Sequence, residues 1–228
     1  MLTDRIEDRN IKGAMSYIRK ADELCQLIAQ SPIPIISFLQ GEAIGLGAEI
    51  ACASSHIVVT AEATLSIPQL FMGLIMLSIP RLVEKVGPGL AFLIQTSTPP
   101  KTPLTAPQML AMGLAEAQVD HVEAGYQLIP KLLNAKILNK RLAEKTEGCR
   151  NISIILDSSH VRENLIRGTL PQQAPEWLRK LKARVDSIHN RDALNLVEKI
   201  LNGAKPDLLE TEMPQLLGHP DVFNFLRK

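Results

Sequence analysis

Aromatic residues make up only 4% of this 228-residue chain, which argues against a base-stacking surface for nucleic acid. The net charge is +1, so neither nucleic acid nor an acidic membrane surface finds an electrostatic footprint. Cysteine is scarce: Cys25, Cys52 and Cys149 are odd in number and lack metal-ligand spacing. Cys25 and Cys52 sit in apolar patterns and read as buried thiols in a reducing, cytoplasmic setting. His56, His121, His160, His189 and His219 are scattered, with no pairing that suggests zinc, so no metal is expected. The N-terminus is charged and carries no apolar signal segment. No apolar run reaches the length of a membrane span; the longest candidate, Leu65 to Leu82, is broken by Pro68, Gly73 and Pro80.

What the chain does have is a hydrophobic content of 46%, enough for a substantial core. Residues 14–30 carry Ile18, Ala21, Leu24, Cys25, Leu27 and Ile28 at helical spacing, and Ser31-Pro32 ends that helix. Ile33 to Leu39 reads as a buried strand. Gly41, Gly45 and Gly47 then space a turn into an alanine-rich helix from about 45 to 54 that carries one acid, Glu49. A strand feeding a glycine turn into a helix N-terminus aims backbone N–H groups at one point and stabilises negative charge there. An isolated acid just past such a turn is a candidate acid/base group. The plainer reading is a tight connection with a solvated glutamate, favoured by the helix dipole.

Further on, His56–Thr60 reads as a second strand, Leu65–Pro68 as a brief one, and Ala117–Val122 as a third. Pro80 to Ile94 reads as helical, interrupted at Pro88-Gly89. Thr96–Pro107, with four prolines, reads as a loop, and Pro107–Met112 as a short helix. The segment 1–122 therefore alternates in an α/β manner. From about 123 the pattern turns helical, over 126–145, 159–168, 175–188, 190–203 and 208–226. No long linker separates this region, so 123–228 is expected to pack on 1–122 as a lid or an oligomerisation element. A dinucleotide-binding reading of Gly45-Leu46-Gly47 fails because Ile50 stands where a third glycine is needed.

The succession Gln40-Gly41-Glu42-Ala43-Ile44-Gly45-Leu46-Gly47-Ala48-Glu49, then Ile57 to Leu65, Ile67-Pro68-Gln69, Gly73-Leu74, Arg81-Leu82-Val83 and Ala111-Met112-Gly113-Leu114-Ala115 resembles the crotonase, or enoyl-CoA hydratase/isomerase, superfamily over residues 14–122. The tail is similar to 3-hydroxyisobutyryl-CoA hydrolases in His160–Leu165, Glu176-Trp177-Leu178, Asn190–Leu194, Lys199–Gly203 and His219-Pro220-Asp221. The resemblance implies a ClpP/crotonase-like core, a short acyl-CoA thioester as substrate, and coenzyme A present only as part of it, with no other cofactor. Family trimers imply a homo-oligomer.

Residue by residue, the resemblance implies that Gly45, Leu46 and Gly47 form the oxyanion turn. The Leu46 N–H would be one donor to the thioester oxygen. The family's other donor comes from an upstream phenylalanine- and glycine-rich turn with no counterpart here, so the core is expected to be N-terminally incomplete, with another chain or Met1–Gly13 replacing that donor. Glu49 matches the first of the hydratases' two glutamates, and Gln69 falls on the second. An amide orients water but accepts no proton, and loss of a general acid/base group costs about 10²–10⁴-fold in rate. The hydrolases' aspartate position falls near Leu77. Met72, Met76, Met109 and Met112 read as core filling. Lys131, Lys136, Lys140 and Arg141 face either CoA phosphates or, more simply, solvent. Two functions follow: a hydrolase-like or hydratase-like acyl-CoA enzyme, or a catalytically impaired binding and interaction relative or truncated product of the family.

Overall fold

The computed structural model describes residues 10–99, 102–133, 147–168, 170–219 and 222. Helix α1 (Ile11–Ala29) opens on Asn10, whose Oδ1 accepts from the Gly13 N–H at 2.8 Å. It turns Ala14, Met15, Ile18, Ala21 and Cys25 inward. Strand β1 (Ile36–Leu39) follows, then β2 (Glu42–Ile44), helix α2 (Leu46–Ala53), β3 (His56–Thr60) and β4 (Thr64–Ser66). A 3₁₀ turn over Pro68–Met72 leads to helices α3 (Ile79–Val86) and α4 (Pro88–Ser97), β5 (Leu104–Thr105), α5 (Ala106–Ala111) and β6 (Ala117–Val119). Two three-stranded sheets result. One is parallel, in the order β1-β3-β6; in the other, β4 lies between β2, parallel to it, and β5, antiparallel. Strand β3 is central and buried at all five positions, with the apolar run Ile57–Val59 between His56 and Thr60.

The remaining elements are helical: α6 (Val122–Tyr126), α7 (Ile129–Leu132), α8 (Glu147–Asp157), α9 (Ser159–Arg167), α10 (Glu176–Asp186), α11 (Arg191–Leu201), a π-helical turn Leu208–Glu212, and α12 (Met213–Gly218). Helices α8 and α10 pack on α4, α11 packs on α3 and α4, and α12 on α1. One continuous set of buried side chains runs from Ile57 and Leu65 through Leu90 and Phe92 to Leu165, Leu194 and Val197. Asn190 ties the two regions at one point. Its Oδ1 accepts from the N–H groups of Asp192 and Ala193, capping α11, while its Nδ2 donates to the Gly73 carbonyl at 3.0 Å. Gly73 adopts φ 79, and a β-carbon there would sit 2.9 Å from Val222 and 3.1 Å from Asn190.

Several sequence expectations are corrected. The first strand starts at Ile36, not Ile33, and is half-buried along its length. Pro32 and Pro34 lack the N–H groups a ladder needs, Ile33 is 73% exposed, and β1 is an edge strand paired only with β3 among the described residues. The glycine turn contains a strand, β2, whose three residues are too few for an alternation to show. The proline-rich loop contains β5. The interruption expected at Pro88-Gly89 is present: Pro88 divides the helical stretch into α3 and α4 by starting the second of them. The helix expected over 126–145 is instead α6 and α7, and its positions 134–145 lie outside the described residues, with Lys136, Lys140 and Arg141. Helix α8 was unexpected, although Ile152 and Leu156 carry an i,i+4 signal. The helix expected over 208–226 is a π turn and α12; beyond His219 only Val222 is described.

Candidate functional site

The second sheet brings Glu42–Ile44 alongside Thr64–Ser66, so the glycine turn after β2 meets the 3₁₀ turn after β4. Gly45, with φ 57 and ψ −116, makes the sharp entry to α2 that a residue with a β-carbon resists. Its N–H is spent on the Ser66 carbonyl at 3.0 Å. The first intrahelical bond is from the Glu49 N–H to the Gly45 carbonyl, 3.0 Å. The Leu46 N–H at the start of the helix is therefore left without an intrahelical acceptor and has no partner among the described residues. The strained turn falls on Gly45, so the leucine side chain at 46 fits ordinary helical backbone.

Glu49 lies one turn into α2 and is only 5% exposed, so the reading of it as a solvated acid is excluded. Its Oε1 accepts from Gln69 Nε2 at 2.7 Å. Its Oε2 accepts from the Leu77 N–H at 2.8 Å and the Ser78 N–H at 3.2 Å. Burial pushes the carboxyl up to about 7, and the hydrogen bonds from Gln69, Leu77 and Ser78 oppose that rise. A carboxyl with that value exchanges a proton near neutrality. Gln69 Oε1 is buried and has no partner. The buried thiols of Cys25 and Cys52 are both pushed up to about 12, chiefly by desolvation, so they stay protonated and unreactive.

Glu49, Gln69, Gly45 and Leu46 line one cavity of about 330 Å³. Its other walls are mostly apolar: Ile18 and Ala21 of α1, Met72 and Leu74, Leu77, and Met213 of α12. Gly47 does not line it and is exposed, so of the three expected turn residues two reach the site. Leu77 does reach it, but supplies a backbone N–H and an apolar wall where the hydrolase pattern has an acid. Sequence reasoning missed the Ser78 N–H, Tyr17 and Met213. Backbone donors leave no trace in residue identity, and Met213 arrives from the far end of the chain. A larger cavity of about 990 Å³ lies among α9, α11 and α12 and shares none of these residues. Its charged lining includes pairs already made, Asp186 with Arg191 and Glu198 with Arg162. Among the described residues no cluster of His, Cys, Asp and Glu forms a metal site, and no helix is long and apolar enough to cross a membrane.

A family model described as enoyl-CoA hydratase/isomerase matches residues 1–205, extending well past the α/β region into the helices. No curated protein sequence matches the chain. A carnitinyl-CoA dehydratase from Mycobacterium thermoresistibile superposes with a TM-score of 0.66 at 14% identity, over 100% of this chain and 70% of that one. An enoyl-CoA hydratase from Rhodobacter sphaeroides 2.4.1 gives 0.62 at 19% identity, over 97% and 68%. At these identities the likeness establishes the fold, a crotonase-like α/β core with a helical C-terminal region. An enoyl-CoA hydratase from Thermoplasma volcanium GSS1, 21% identical over 64% of this chain with a TM-score of 0.48, is spanned over 62% of its length. The chain thus spans about two thirds of the length of these solved structures.

Proposed function

The chain belongs to the enoyl-CoA hydratase/isomerase family, and from that premise we propose that it binds a short acyl-CoA thioester and turns it over slowly. In this reading the acyl group occupies the cavity beside Glu49, and the thioester oxygen accepts from the Leu46 N–H. The observation that carries it is the 2.7 Å contact between Glu49 and Gln69 within one cavity. Adding water across a double bond calls for one group to activate the water and one to deliver a proton. Glu49, titrating near 7, serves either role. Gln69 serves neither, because an amide neither accepts nor releases a proton under these conditions; it positions water and Glu49. The tail residues Arg162, Trp177 and Asn190 favour a hydrolase-type substrate, 3-hydroxyisobutyryl-CoA, by their order in the sequence alone.

Calorimetric titration with free CoA, a short acyl-CoA and 3-hydroxyisobutyryl-CoA, run beside a thiol-release assay, tests this reading. Binding of the esters in preference to free CoA, with slow or no thiol release, is the expected result. Turnover at an ordinary enzyme rate that is lost in Glu49→Gln contradicts the impaired-catalysis part. Absence of binding by any CoA ester contradicts the whole reading and leaves an interaction protein.

A further inference from the structure

A thioester oxygen that takes up negative charge in the transition state has lone pairs for two donors, and catalysis of this type gains most when both are fixed in advance. The turn before α2 offers one, the Leu46 N–H; the neighbouring Gly45 N–H is spent on Ser66. Another wall of the cavity is α1, which packs directly on α2. Tyr17, Ile18 and Ala21 line the cavity from that helix. Tyr17 and Ala21 stand one turn apart on the same face, so the tyrosine ring belongs to the wall and not to the solvated side.

The Tyr17 side chain is half-buried, and its hydroxyl has no hydrogen-bond partner among the described residues. The other polar side chains of the wall are Glu49 and Gln69. Both oxygens of Glu49 accept hydrogen bonds, the Gln69 amide nitrogen donates to Glu49, and Gln69 Oε1 is an acceptor. A phenol presents one O–H donor. Among the side chains lining this cavity, Tyr17 is the one that bears a hydroxyl, and the Gln69 amide already donates to Glu49.

We propose that the Tyr17 hydroxyl is the second donor to the thioester oxygen, completing with the Leu46 N–H an oxyanion site assembled from α1 and the start of α2. This rests on the acyl-CoA reading above and adds a catalytic residue to it. No bond is made or broken at Tyr17.

The test compares two ligands of equal length, butyryl-CoA and its thioether analogue S-butyl-CoA, which lacks the carbonyl. Wild-type protein is expected to bind the thioester more tightly. Tyr17→Phe is expected to reduce affinity for the thioester by about threefold to tenfold, the worth of one neutral hydrogen bond, and to leave thioether affinity unchanged, which also shows that the variant is folded. A conjugated dienoyl-CoA, whose absorption moves to longer wavelength when its carbonyl is polarised, should shift less in the variant. An unchanged thioester-to-thioether ratio together with an unchanged absorption shift overturns the role of Tyr17 while leaving acyl-CoA binding intact. Failure of wild-type protein to bind either ligand overturns the acyl-CoA reading, and the Tyr17 role with it.

Discussion

Glu49 is the buried acid of the candidate site, and its pH behaviour follows from burial. Its value rises from 4.5 to about 7 on folding. Below about pH 4.5 the group is protonated in both states, and its contribution to stability is fully present. Between that pH and about 7 the folded protein holds a proton that the unfolded chain has released, so stability falls as pH rises. Above pH 7 the loss is complete, at about 3 kcal/mol. Urea unfolding across this range should show the decline, and Glu49→Gln should flatten it. A wild-type profile that is flat from pH 4.5 to 7.5 contradicts the assignment. The glutamine variant keeps an acceptor for Leu77 and Ser78, and the Gln69 amide need only turn over to present its oxygen. Gln69→Glu tests the other half of the pair. A second carboxyl 2.7 Å from the first shares one proton with it, which restores an acid beside a base. Hydration of a short 2-enoyl-CoA, followed by loss of the conjugated absorption, should rise at least tenfold. No rise would mean that the amide is not what limits the reaction.

At the scale of elements, Arg162 fixes how the C-terminal helices stack. Its side chain is buried on α9 and donates to Glu198 at 2.8 Å, to Asn202 at 2.6 Å, and to the carbonyls of Leu156 and Asp157 that end α8. Desolvation raises the Glu198 carboxyl, and the guanidinium opposes it. Removing one partner strands a buried charge, so Arg162→Met should cost about 3–5 kcal/mol. The double variant Arg162→Met with Glu198→Leu should recover part of that loss. Denaturant titration of the three variants reads this as a coupling energy, and strictly additive losses contradict it. Element boundaries were legible where a cap or a proline signals them. Asn190 at α11, Pro88 at α4 and the Gly45 entry to α2 are examples. They were illegible where tertiary contact decides: β2 and β5 are two or three residues long and exist because β4 lies between them.

Across the whole molecule, the cavity closes only because distant segments meet. Met213 joins Tyr17, Ile44 and Leu74 in its wall, and α12 reaches α1 partly through the Arg19–Glu210 ion pair at the neighbouring π turn. The pairing of Glu49 with Gln69 was legible through resemblance, since both positions carry a recognisable motif. The enclosure was not, because no local pattern records which distant side chain seals a cavity. This also explains why the two halves share one apolar core. The helices after Val122 cover α3 and α4, whose inward residues Leu82, Leu90 and Phe92 would otherwise face solvent. The central claim is that the thioester sits between Leu46 and Glu49. A crystal structure with butyryl-CoA tests it most directly. The account predicts the thioester oxygen about 2.9 Å from the Leu46 nitrogen, with the acyl chain against Ala21 and Met213. An acyl chain lodged instead in the charged cavity of α9, α11 and α12, with the Glu49 cavity unfilled, would contradict it.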